Sequence, residues 1–125
     1  MDMFRVMQFQ DVPWQAHPTI TGVMTKVFEN RDTQPLCDAL LAQVFPGGKI
    51  PWHVHAAESE TAYVVQGTGT LLCAPENTQS ALDNCQRADL VPAMALTVRS
   101  GVWHSVLNSG DAPLILFAFH TPPTL

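Results

Sequence analysis

Gly47-Gly48-Lys49-Ile50-Pro51-Trp52-His53-Val54-His55-Ala56-Ala57-Glu58-Ser59-Glu60-Thr61-Ala62-Tyr63-Val64-Val65-Gln66-Gly67 places two short extended segments between glycine-marked turns. His53 and His55 are two apart, so on a strand they share one face and both imidazoles can reach one ion. Thr61 to Val65 is β-branched and aromatic, which predicts a strand. Glu60 opens that strand after a short turn through Ala57 and Glu58, and an antiparallel return carries its carboxylate back to the histidines. Neutral imidazole with carboxylate suits divalent Fe, Mn, Ni, Co or Zn, whereas Ca and Mg prefer oxygen shells. Glu58 shares face parity with Glu60 and competes with it, at a shorter spacing from His55.

Outward from this stretch, Pro and Gly punctuate short segments, a β-rich pattern. Strands are predicted over residues 21–28, 36–45, 51–55, 61–65, 70–73, 90–98, 102–107 and 114–119. Residues 74–87 read as a loop or irregular hairpin, and no amphipathic helix or internal repeat is found. Many short strands at near-regular spacing predict an all-β sandwich or barrel. Residues 1–19 read as an N-terminal arm packed on the barrel or on a partner subunit, and residues 20–125 as the barrel. In Gly101-Val102-Trp103-His104-Ser105-Val106-Leu107-Asn108, His104 follows a glycine turn on another strand. A closed barrel can set it opposite the first pair as a fourth ligand.

These residues resemble the cupin superfamily, whose first motif reads G-x5-H-x-H-x4-E-x6-G. Gly47, His53, His55, Glu60 and Gly67 fit every fixed position. The second motif reads G-x5-P-x-G-x2-H-x3-N. Gly101, His104 and Asn108 fit it, but Ala93 stands in place of the glycine and Arg99 in place of the proline. The resemblance implies a small single-domain cupin, a double-stranded β-helix or jelly-roll barrel. It also implies one divalent metal per chain, held by His53, His55, Glu60 and His104 with one or two positions open, as in catalytic rather than structural sites.

Other residues carry weaker signals. His120 ends the last strand and is either an edge histidine or a partner to the site as acid or base; Glu58 is a second such candidate. Trp52, Trp103, Phe117 and Phe119 flank the ligand strands and belong either to the core or to a pocket wall suited to an apolar ligand. Arg99 is either a solvated turn residue or an anchor for an anionic substrate. His17 reads as exposed in the arm, and Tyr63, of opposite parity to Glu60, points away from the metal. Gly67 and Gly69 read as tight turns, since no helix follows to cradle a phosphate.

The chain has 125 residues, 46% of them hydrophobic, enough for one packed domain. Its net charge is −5 and its six basic residues are scattered, which argues against nucleic acid and against an anionic membrane surface. No apolar run approaches a membrane span and the N-terminus lacks a signal-peptide core, so a cytoplasmic location is expected. Cys37, Cys73 and Cys85 form no CxxC pair. Reduced thiols are the simplest reading, with a Cys73–Cys85 bridge across a hairpin as the alternative.

Two functions fit these features. One is an enzyme of dioxygenase or Lewis-acid type (isomerase, lyase or decarboxylase) acting on a small organic molecule. The other is a non-catalytic, metal-dependent binding or sensing module. Nothing resembles an attached DNA-binding or transport domain, which favours the enzyme. Apolar sheet faces and the arm predict a homodimer.

Overall fold

The structure, a computed structural model, describes residues 3–125. Among these residues, ten strands form two antiparallel sheets. One sheet runs in the order β1 (Gln15–Ala16), β2 (Val23–Glu29), β3 (Asp38–Val44), β10 (Leu114–Thr121), β5 (Ser59–Gln66) and β8 (Ala95–Val98). The other runs β4 (Lys49–His53), β9 (Trp103–Leu107), β6 (Gly69–Ala74) and β7 (Gln86–Leu90). The predicted all-β jelly-roll barrel is therefore the observed one.

Period-two alternation decides which side chains enter the barrel. On β10, Leu114, Leu116, Ala118 and His120 are buried, while Ile115, Phe117 and Phe119 between them are only partly so. Leu114 and Leu116 join Val23, Val44, Val64, Leu90 and Val106 in one core cluster. Each such side chain contributes roughly 1.5–3 kcal/mol on leaving water. The core closes one end of the barrel and leaves the other end for polar chemistry.

Two residues of the predicted motifs serve this scaffold. Gly67 has a φ of +81°, and a Cβ there would collide with the backbone of Pro113 and Leu114, so only glycine fits. The buried Asn108 side chain donates to Val44 O at 2.9 Å and Ala112 O at 2.8 Å. Its backbone N–H donates to Gly48 O at 3.0 Å. The two motif turns are thus sewn together.

Several boundaries differ from expectation. The predicted strand over residues 90–98 is split, because Ala93 turns the chain with a φ of +72° between β7 and β8. Ala93 adopts the left-handed conformation that the motif's glycine would take without strain. Residues 74–87 contain a short helix α1 (Gln79–Asp83), started by Thr78, whose hydroxyl accepts from Ala81 N at 3.2 Å. Its five residues are too few to show an amphipathic period. The sheet also begins inside the segment read as an arm: β1 pairs with β2, and Phe9 packs edge-on against Phe28 and Phe117 at 6.0 Å. Met1 and Asp2 of that arm lie outside the described residues. All three cysteines are free thiols, so the Cys73–Cys85 bridge is not formed. Among the described residues, no helix is long and apolar enough to cross a membrane.

Candidate metal centre

Strand register builds the polar end as two facing rows. On the four-stranded sheet, β4 pairs with β9 so that His53 lies opposite His104. Their ring centroids are 4.0 Å apart, and His55, just past β4, lies 4.9 Å from His53 and 5.3 Å from His104. On the six-stranded sheet, β10 runs between β3 and β5, and His120 lies opposite both Asp38 and Glu60.

The histidines on the first row are prepared as ligands. His53 Nδ1 donates to Pro51 O at 2.8 Å, and His104 Nδ1 donates to Val102 O at 2.9 Å. Each ring is thus tethered to the carbonyl two residues back, which leaves Nε2 with its lone pair free. Burial pushes His53 and His55 below the ordinary imidazole value, which keeps them neutral. One nitrogen from each of His53, His55 and His104 falls within 4.8 Å of the others. His55 Nε2 and His104 Nε2 are buried and without hydrogen-bond partners. An orphaned buried polar atom costs about 1–3 kcal/mol, and one cation would satisfy both.

The second row carries the charge. His120 Nε2 donates to Glu60 Oε1 and His120 Nδ1 donates to Asp38 Oδ1, both at 2.8 Å. Asp38, fully buried, also accepts from His120 N at 2.9 Å, Thr124 N at 2.9 Å, Thr124 Oγ1 at 2.8 Å and Leu125 N at 3.2 Å. Burial alone would raise Asp38, but hydrogen bonds from Thr124 and His120 outweigh it and hold the carboxyl below its usual range. Burial likewise opposes ionisation of Glu60, and contacts with His104 and His120 hold it well below the usual carboxylate range. His120 is raised for the converse reason, its burial outweighed by Glu60 and Asp38. With His120 engaging Oε1, Glu60 keeps Oε2 free, 3.2 Å from His104 Nε2.

Below these rows lies a cavity of about 350 Å³ reached by His53, His55, Glu60 and His120. Its remaining wall is mostly aliphatic, including Val27, Leu40, Ile50, Leu96 and Leu116. Of the two readings of the flanking aromatics, the pocket wall is not the one the structure gives. Phe117 and Phe119 sit between inward-facing residues on β10 and meet edge to face at 4.8 Å, and neither they nor Trp52 or Trp103 line the cavity. The same alternation sets Trp103 on the face opposite His104. Arg99 is exposed in the turn before β9 and does not line the cavity. Tyr63 is on the outer face, 47% exposed. Glu58 is outside both groups of potential ligands, whereas His120 forms the second such group with His55 and Glu60.

Two residues were not anticipated. Asp38 opens a strand that otherwise reads Ala-Leu-Leu-Ala-Gln-Val, and a lone acid in that setting was the available signal. His17 lines the cavity, and its Nδ1 accepts from Thr19 N at 3.2 Å and Ile20 N at 3.1 Å. Those bonds leave its proton on Nε2. The sequence His-Pro-Thr, a side-chain-capped turn, was the only hint.

A cupin domain matches residues 40–120. Over 79 residues the chain is 30% identical to the auxin-binding protein ABP19b of Prunus persica, covering 63% of this chain but only 35% of that protein. Among solved structures it is similar to a predicted oxalate decarboxylase from Thermotoga maritima. That match has a TM-score of 0.78 and 17% identity, over 94% of this chain and 99% of the other. KdgF from Halomonas sp. gives a TM-score of 0.75 and 17% identity, over 97% and 96%. At such identities these structures speak for the fold alone. The matched span contains both histidine rows and the glutamate, and the chain belongs to the cupin domain family.

Proposed function

We propose that the chain binds one divalent transition metal through His53, His55, Glu60 and His104, and that the loaded protein is an enzyme acting on a small organic molecule. The observation that carries this reading is the pair of buried Nε2 atoms of His55 and His104 without hydrogen-bond partners, grouped with His53, and with the ionised Glu60 carboxylate 3.2 Å from His104 Nε2. Three imidazoles and one carboxylate suit Fe, Mn, Ni, Co or Zn. When bound, such a metal supplies Lewis-acid polarisation or, if it is iron, activation of dioxygen. The protein's own part is narrower. The carbonyl tethers fix the tautomers of His53 and His104, and His120 Nε2 holds a proton against Glu60 Oε1. The aliphatic wall keeps water from the reacting molecule.

Metal content of protein purified without added metal tests this directly. Stoichiometric iron with oxygen uptake on a panel of catechols and diketones supports an oxygenase. Zinc, nickel or manganese with turnover in the absence of oxygen supports an isomerase, lyase or decarboxylase. Less than a tenth of an equivalent of any of these metals, after incubation with each, refutes the reading. A non-catalytic binder is the second reading, supported by the name of the auxin-binding relative. Saturable binding of a small acid without turnover would favour it. We read the protein as a cytoplasmic homodimer, supported by the half-exposed Tyr63 and Val65 on one sheet face; a sedimentation coefficient matching a single chain would overturn the dimer.

A further inference from the structure

The metal-facing rows continue down the six-stranded sheet in register. Beneath Asp38–His120–Glu60 comes Leu40–Ala118–Ala62, and beneath that Ala42–Leu116–Val64. The row next to the candidate ligands thus carries two alanines directly opposite each other, both nearly fully buried and both lining the cavity. Strand positions of this kind ordinarily carry bulkier side chains that fill a barrel. Here the missing side-chain volume lies immediately beside Glu60 and His120. The facing wall is supplied by Ile50 and Val106 of the other sheet.

Charge narrows what can enter. Among the described residues, no lysine or arginine lines the cavity. Lys26 lies over the Trp14 ring at 4.7 Å, and Arg31 donates to the carbonyls of Thr124 and Leu125. Both nitrogens of His120 are already turned onto Asp38 and Glu60. A ligand's first negative charge would meet the metal. A second, held away from the metal, would find no lysine or arginine among a mostly aliphatic wall whose polar groups are His17, Thr25 and Thr124, which is unfavourable for a buried charge. The volume, about 350 Å³, is near the lower end of the roughly 300–1,000 Å³ typical of ligand sites.

Resting on the metal-centre reading above, we propose that this cavity selects compact molecules with an apolar body and a single oxygen-chelating head, and that Ala62 and Ala118 set the size of that body. Dianions whose two carboxylates are too far apart to share the metal, such as succinate, are disfavoured by the lack of a second cation. Each methylene buried on the wall raises affinity about fourfold.

The test uses the full-length protein loaded with Co²⁺, whose visible absorption reports uptake and ligation. The probes are acetohydroxamate, butyrohydroxamate, isovalerohydroxamate and succinate. Affinity is expected to rise about fourfold per added methylene along the hydroxamates, with succinate weaker than all of them. Ala118→Leu and the milder Ala62→Val are expected to keep one Co²⁺ per chain while weakening isovalerohydroxamate at least tenfold and at least threefold, respectively. A protein that takes up no Co²⁺ refutes the metal reading and this proposal together. A loaded protein with a flat hydroxamate series, with succinate bound as tightly as isovalerohydroxamate, or with both variants binding like the parent refutes the substrate class alone.

Discussion

On the four-stranded sheet, His53 and His104 are each tethered through Nδ1 to the carbonyl two residues back along the chain. On the six-stranded sheet, Glu60 is oriented by His120, which is oriented by Asp38, and Asp38 lies 82 positions from His120 in sequence. The first arrangement is local, and each ligand carries its own orienting group. The second is a chain of charges in which each member depends on the next. The two rows should therefore fail in different ways.

The largest contrast is in metal occupancy. His53→Ala and His104→Ala are each expected to reduce bound metal from one equivalent to below a tenth, measured by elemental analysis after desalting. Asp38→Asn touches no ligand, yet it removes the charge that fixes His120. Metal affinity is expected to fall about 10–100-fold, as when other partners behind a ligand are lost. Folding stability is expected to fall by about 3 kcal/mol, because His120 and the Thr124 and Leu125 donors lose a buried anion. A competition titration with a chelator and a urea melt read the two losses separately. An Asp38→Asn protein with parental metal affinity would show that the second row is only structural.

pH separates the rows further in the metal-free protein. His53 and His55 are held below their ordinary value, so they bind fewer protons folded than unfolded, and their contribution is lost as pH falls below about 6.5. His120 is held above its ordinary value. Its contribution is complete below about pH 6.5 and is lost as pH rises through its folded value. The difference in urea midpoint between the parent and His120→Ala should therefore be large at about pH 5.5 and shrink by about pH 9. A difference that does not change with pH would break the comparison.

The smallest effect serves as a control. Ala93 holds a left-handed backbone away from both rows, so Ala93→Gly is expected to raise stability by about 1 kcal/mol without changing metal affinity.

What lies close along the chain was legible in the sequence, and what only the docking of distant strands brings together was not. His53 and His55 share a face by strand parity, and Glu60, on the other sheet, follows within the same eight residues across one short turn. His104 needed the pairing of β4 with β9, and half of a motif pointed to it. Asp38 is invisible to any local pattern, because what makes it functional is the docking of β10 between β3 and β5. The flanking aromatics stood between core and pocket wall. The parity that turns Tyr63 outward also turns Phe117 and Phe119 away from His120, which excludes the wall. The left-handed turn at Ala93 was hidden because alanine rarely adopts it.

The position of β10 also bears on how the chain folds. It is the last of the ten strands in sequence, yet it occupies the middle of the larger sheet, paired on both sides. Until it inserts, β3 and β5 each present an open edge, the kind of surface on which chains join one another. Closure over so long a loop is slow. Folding intermediates of this protein should therefore be prone to association, and a high concentration of chains during refolding should lower the yield more than a mild loss of native stability does.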